Sequence, residues 1–118
     1  MLRPEDAYEL YSRAWNEPER AAALLEECWA PDGVYADDEV PDGVVGRDAL
    51  VDLITATHDA LPGFRVWETS PPRLLAGRLG LTWSQEGGHP LESLAGADVI
   101  EFAADGRIAR VTGVLATV

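Results

Sequence analysis

The chain has 118 residues, enough for one domain spanning residues 1–118 and a core that removes about two thirds of the unfolded surface from water. It carries 21 acidic and 9 basic residues, a formal net charge of −12, which argues against nucleic-acid and anionic-membrane partners. Cys28 is the only cysteine, so no intrachain disulfide can form.

The N-terminal stretch Met1-Leu2-Arg3-Pro4-Glu5-Asp6 has no basic region followed by an apolar run, and no apolar stretch approaches bilayer length. A cytoplasmic location is the expectation. Pro4, followed by Glu5 and Asp6, suits a helix start, because proline fits the first turn and acids suit its positive end. Ala7, Tyr8, Tyr11, Ala14 and Trp15 then fall on one helical face, until Asn16-Glu17-Pro18 interrupts. A second helix carries Ala21, Leu24, Leu25, Cys28 and Trp29 on one stripe and is expected to end at the turn Pro31-Asp32-Gly33. Val34 to Asp37 reads as a short strand, and Pro41-Asp42-Gly43 as a loop.

After Gly46, the positions Leu50, Leu53, Ile54, Thr57 and Leu61 form a third helical stripe that stops at Pro62-Gly63. The pattern then turns to β, with strands expected over Phe64–Ser70, Arg73–Ala76, Arg78–Glu86, Leu91–Ala103 and Arg107–Thr117. Gly77, Gly87-Gly88 and Asp105-Gly106 supply the turns. Helices gathered ahead of a run of strands predict an α+β domain, with three N-terminal helices on one face of a strongly curved antiparallel sheet. Such a sheet and its helices enclose a cone-shaped space, a natural ligand pocket.

One residue sits out of place in this pattern. Strand side chains alternate, so Asp98 shares a face with Ile100 and Phe102, opposite Val99, Glu101 and Ala103. A carboxyl among apolar groups must be paired or keep its proton. The plainer alternative is an edge aspartate that binds a backbone N–H or faces water. His58 and His89 lack metal-ligand spacing, and no phosphate-binding glycine loop or Gly-x-Ser-x-Gly elbow occurs, so neither metal nor organic cofactor is expected. Cys28 reads as a small core hydrophobe, and His58 as a helix-surface or pocket side chain.

The layout resembles the nuclear transport factor 2-like superfamily, in particular its SnoaL-like and ketosteroid-isomerase-like members. The resemblance covers nearly the whole chain. It is carried by Tyr11-Ser12-Arg13-Ala14-Trp15-Asn16, by Trp29-Ala30-Pro31-Asp32-Gly33-Val34-Tyr35-Ala36-Asp37, by Val45-Gly46-Arg47-Asp48-Ala49-Leu50 and by Ala97-Asp98-Val99-Ile100-Glu101-Phe102. It implies catalytic roles for Tyr11, Asp37 and Asp98. In the isomerases the first-strand aspartate moves the proton, while the tyrosine and a protonated late-strand aspartate hold the enolate oxygen. The chain departs from those enzymes where Asp38 and Glu39, not proline, follow Asp37, and at Gly87-Gly88-His89-Pro90.

Three functions follow. The first is a cofactor-independent isomerase, cyclase or dehydratase acting on a small apolar carbonyl compound by proton transfer. The second is a ligand-binding module that uses the same cone without chemistry. The third is a dimerisation domain whose cone is filled by Trp15, Tyr35 and Trp83. Together with Ile100 and Phe102, these three are the expected pocket wall. Several strands are apolar on both faces, with Ala97 and Val99 opposing Ile100 and Phe102, and Val114 opposing Val111 and Leu115. A sheet whose outer face is also apolar needs cover, so a homodimer is expected. Light scattering at micromolar concentration should report twice the chain mass; a stable monomer would contradict the expectation.

Overall fold

The computed structural model describes residues 1–87 and 94–117. Helix α1 spans Pro4–Asn16 and a single 3-10 turn spans Pro18–Arg20. Helix α2 (Ala21–Cys28), strand β1 (Trp29–Ala36), the two-residue strand β2 (Val44–Val45) and helix α3 (Arg47–Ala60) follow. The remaining chain is β3 (Arg65–Glu68), β4 (Arg73–Leu75), β5 (Arg78–Glu86), β6 (Leu94–Phe102) and β7 (Ile108–Thr117). The expected Gly87-Gly88 turn, His89, Pro90 and the strand start at Leu91 lie partly or wholly outside the described residues.

The helices form where the stripes place them. Ala7, Tyr11, Ala14 and Trp15 of α1, Leu24, Leu25 and Cys28 of α2, and Leu50 and Ile54 of α3 are buried together. The α2 stripe is shorter than expected. The chain leaves the helix at Cys28 and enters β1 directly, so Trp29 is already a strand residue. Pro31-Asp32-Gly33 lies inside β1, as an irregularity between Trp29 and Val34 in its pairing with β7. Gly33 has no side chain because the Trp29 indole occupies the place where a Cβ would stand.

The sheet runs in the order β2-β1-β7-β6-β5-β3, with β4 also paired to β5. It is mixed rather than wholly antiparallel, because β1 and β7 run parallel while the other pairs are antiparallel. The inner faces of the long strands carry Leu79, Leu81 and Trp83 of β5, Asp98 and Ile100 of β6, and Val111 of β7, all buried. The outer face bears Ala97, Val99 and Val114, the latter two 45% and 59% exposed.

Two tight turns hold the long strands. Ala76 and Gly77 both have positive φ and join β4 to β5 by a two-residue loop of the type that matches strand twist. Between β6 and β7, Gly106 (φ 90°) donates its N–H to Ala103 at 3.0 Å, and Leu2 donates its own to Asp105 at 3.2 Å. The edge strand β3 is tied through its backbone to the last residue of α1. Asn16 Nδ2 donates to the Val66 carbonyl at 2.8 Å, and Asn16 Oδ1 accepts the Val66 N–H at 2.9 Å.

Gly106 is required both by its positive φ and because a Cβ there would collide with the backbone of Leu2. Gly106→Ala should lower stability by more than about 1 kcal/mol. Urea unfolding would show this as a lower midpoint with an unchanged slope.

Candidate functional site

Between the helices and the inner sheet face lies a cavity of about 130 Å³. That is close to the size of cavities known to hold benzene, roughly 150 Å³. Its walls include Tyr11 and Trp15 of α1, Leu53 and Thr57 of α3, and Leu81 and Trp83 of β5. Exposed Glu39, Trp67 and Glu68 form part of its rim. Tyr8 reaches the same rim and donates its hydroxyl to Glu68 Oε2 at 2.9 Å.

Asp98 enters this cavity from β6 and is only 9% exposed. Two glycines make its position possible. A side chain at Gly96, opposite Trp83 in the ladder, would collide with the indole, which instead reaches along the sheet and donates Nε1–H to Asp98 Oδ1 at 3.0 Å. A Cβ at Gly113, opposite Asp98 on the other side, would lie 3.0 Å from Asp98 Oδ1 and 3.3 Å from Asp37 Cβ. The two aspartates therefore flank one bare point of the sheet.

Burial raises the Asp98 carboxyl to about 6, the Trp83 bond pulls it down, and the negative charge of Asp37 pushes it up again. Asp98 thus accepts a hydrogen bond at Oδ1, and burial raises its proton affinity in the direction that the implied protonated donor requires. Tyr11 is buried and its ring stacks on Trp29, centroids 5.6 Å apart and 15° from parallel. Burial, then the nearby Asp98 charge, holds the Tyr11 hydroxyl well above its ordinary range, so it keeps its proton.

Asp37 follows the end of β1 and lines the cavity. Its oxygens are engaged. Oδ2 accepts the Tyr35 hydroxyl at 2.6 Å, and Oδ1 accepts the N–H groups of Glu39 and Val40 at 2.8 and 3.0 Å. Burial and this bond raise the Tyr35 hydroxyl far above its usual value. Its two acidic neighbours turn different ways. Asp38 Oδ2 accepts the Leu115 N–H at 3.0 Å and pins the loop to β7, while Glu39 faces the cavity.

Of the five residues expected in the wall, Trp15, Tyr35 and Trp83 are there, and the cavity stays open between them. Ile100 and Phe102 are not. They lie on the expected strand but beyond the closed end, where Ile100 pairs with Leu79 and Val111 and Phe102 with Ile108. His58 is structural, with Nε2–H donating to the Trp15 carbonyl at 2.7 Å and its ring meeting Phe64 edge-on at 5.0 Å. Cys28 is buried, with its thiol pushed up to about 12 by desolvation, which disfavours the thiolate. Among the described residues, no cluster of three His, Cys, Asp or Glu side chains could hold a metal ion, and no helix is long and apolar enough to cross a membrane.

Several wall residues carry no individual sequence signal as site residues. Tyr8, Leu53, Thr57 and Leu61 belong to the expected helical stripes, but Val66, Gln85, Leu94 and Leu115 gain their place only from strand pairing.

The model of the SnoaL-like domain matches residues 8–111. The chain belongs to the SnoaL-like family. No curated protein sequence matches it. Among solved structures, this SnoaL-like domain is similar to a candidate isomerase of the SnoaL-like family from Agrobacterium tumefaciens, at TM-score 0.80 and 24% identity over 93% of this chain and 94% of that one. It is also similar to a candidate polyketide cyclase from Sinorhizobium meliloti, at TM-score 0.75 and 20% identity over 92% and 93% of the two chains. A third is a protein of ketosteroid-isomerase-like fold from Catenulispora acidiphila in complex with trimethylamine, at TM-score 0.75 and 16% identity over 95% and 85%. At these identities the likeness is one of fold, and SnoaL-like domains share the cone-shaped α+β architecture described above.

A carboxyl lifted from 3.8 to about 6 makes folding bind a proton between those values. The Asp98 contribution to stability is therefore most favourable at low pH, declines as pH rises from about 4 to about 6, and is flat above. Asp98→Asn removes the titration and keeps an acceptor for Trp83. Relative to wild type, the variant should gain about 2 kcal/mol between pH 4 and pH 7. Paired urea titrations at the two pH values check both sign and size.

Proposed function

We propose that this SnoaL-like domain catalyses proton transfer on a small carbonyl compound without a cofactor, as an isomerase, cyclase or dehydratase. The observation that carries the reading is the carboxyl group of Asp98, buried in an aromatic cavity that Tyr11 also lines. A base serves best when its pKa lies near working pH, and burial brings Asp98 to about 6.

Asp98, rather than the Asp37 implied by the resemblance, is assigned the proton. Both Asp37 oxygens already accept hydrogen bonds, whereas Asp98 Oδ1 accepts the Trp83 bond and the carboxyl faces the cavity. In the proposed step, Asp98 takes a proton from the carbon next to the carbonyl. The C–H electron pair forms a C=C bond, and the carbonyl π pair moves onto oxygen to give an enolate. Tyr11, still protonated, donates to that oxygen as charge develops. Returning the proton from Asp98 to another carbon completes an isomerisation; attack of the enolate carbon on a second carbonyl completes a cyclisation. Asp37 acts as a positioning residue that fixes Tyr35 and the turn to Val40. The homodimer belongs to the same proposal, with Ala97, Val99 and Val114 as the strip a second copy would cover.

Deuterium exchange of small cyclic ketones tests the assignment. Wild type should exchange faster than buffer, with a rate that rises through about pH 6. Asp98→Asn should lose at least about a hundredfold, the usual contribution of a general base, and Asp37→Asn should keep most of the rate. Exchange that survives Asp98→Asn and collapses in Asp37→Asn would return the base to Asp37. Ligand binding without exchange in wild type would leave a binding module.

A further inference from the structure

The cavity has an unusual charge and aromatic content for a site that takes neutral apolar molecules. Seven of the nine aromatic residues of the chain line it. So do four carboxyl groups, Asp37, Glu39, Glu68 and Asp98. Among the described residues, no Arg, Lys or His side chain lines it. The nearest basic candidate by sequence stripe, His58, is turned to the Trp15 carbonyl. Part of this acidity is internally bonded, since Asp37 holds Tyr35 and Glu68 accepts Tyr8. Those bonds come from neutral donors and leave the negative charge in place.

A cavity of this kind carries a one-signed field that low-dielectric walls concentrate. Aromatic faces add to it, because their quadrupoles attract cations, and the attraction is greatest for weakly hydrated ammonium groups. A carboxylate or phosphate entering the same space would meet four like charges and no counter-charge.

We propose that the ligand of this cavity carries a substituted ammonium group on a compact apolar body, with the aromatic walls around the body and the rim acids Glu39 and Glu68 facing the charge. The inference rests on the reading of the cavity as a ligand site and names the class of compound it selects. Ligands whose anionic group must enter the cavity are disfavoured by the same field. Asp98 remains free to act on a carbonyl deeper in the cavity.

Three probes built on one phenyl ring separate the effect of charge: phenyltrimethylammonium, its neutral isostere tert-butylbenzene, and the anion benzoate, each titrated calorimetrically into wild type. The ammonium should bind at least about tenfold more tightly than tert-butylbenzene, and benzoate should show no binding. Added sodium chloride should weaken only the ammonium. Glu39→Gln combined with Glu68→Gln should remove most of the ammonium preference and leave tert-butylbenzene within about twofold of wild type. The glutamine at 68 still accepts the Tyr8 hydroxyl, so an unchanged melting temperature is expected. Equal affinity for the ammonium and the hydrocarbon, preference for benzoate, or no binding of any probe to folded protein overturns the proposal. Ketone exchange without ammonium preference would overturn it and leave the proton-transfer reading standing. Ammonium preference without exchange would do the reverse.

Discussion

The site depends on the meeting of three strands around Gly113. Parallel pairing aligns Ala36 with Thr112, which carries Asp37 past the end of β1 to the level of Gly113. Antiparallel pairing sets Asp98 opposite the same glycine from the other side. A shift of one residue in either ladder would turn an aspartate to the outer face of the sheet. The two carboxyl groups thus owe their proximity to backbone register. They raise the proton affinity of Asp98 together with the burial that the aromatic walls impose.

That arrangement has a cost in stability and a use in chemistry. A carboxylate packed beside tryptophan and tyrosine is less favourable than one in water, and Trp83 offsets only part of the penalty. The rest of the domain compensates through an apolar end of the cone, where Leu79, Ile100, Ile108 and Val111 pack without exposure above 1%. The division is longitudinal. One end of β5, β6 and β7 serves packing, and the other holds the cavity.

The sequence shows the helices and most strand limits because their signals are local. Pro4, Asn16-Glu17-Pro18, Gly46 and Asp105-Gly106 each act on their own backbone, and the elements stop or start beside them. Pro31-Asp32-Gly33 carries the same kind of local signal, yet there tertiary pairing prevails. Gly46 donates to the Gly33 carbonyl at 2.9 Å, and Trp29 pairs with Ile108, so the chain stays extended through a sequence that favours a turn. Strand alternation correctly puts Asp98 and Ile100 inside. It sets the face and not the depth, which is why Ile100 and Phe102 fall beyond the cavity although Trp83 and Asp98 line it. Asp37 was legible as a strand-end acid near the site. Its bonds to Tyr35 and to two backbone N–H groups depend on how the following turn closes.

The Asn16 amide, bonded to both backbone groups of Val66, has a consequence for life at high concentration. β3 forms an outer border of the sheet, and such borders recruit strands from other molecules. One carboxamide here imitates a neighbouring peptide unit, offering a donor and an acceptor in the places a foreign strand would use. The charged ends of β3, Arg65 and Glu68, both exposed, reinforce the blockade. A helix terminus thereby guards the sheet against fibrous self-association, in addition to closing one side of the cone.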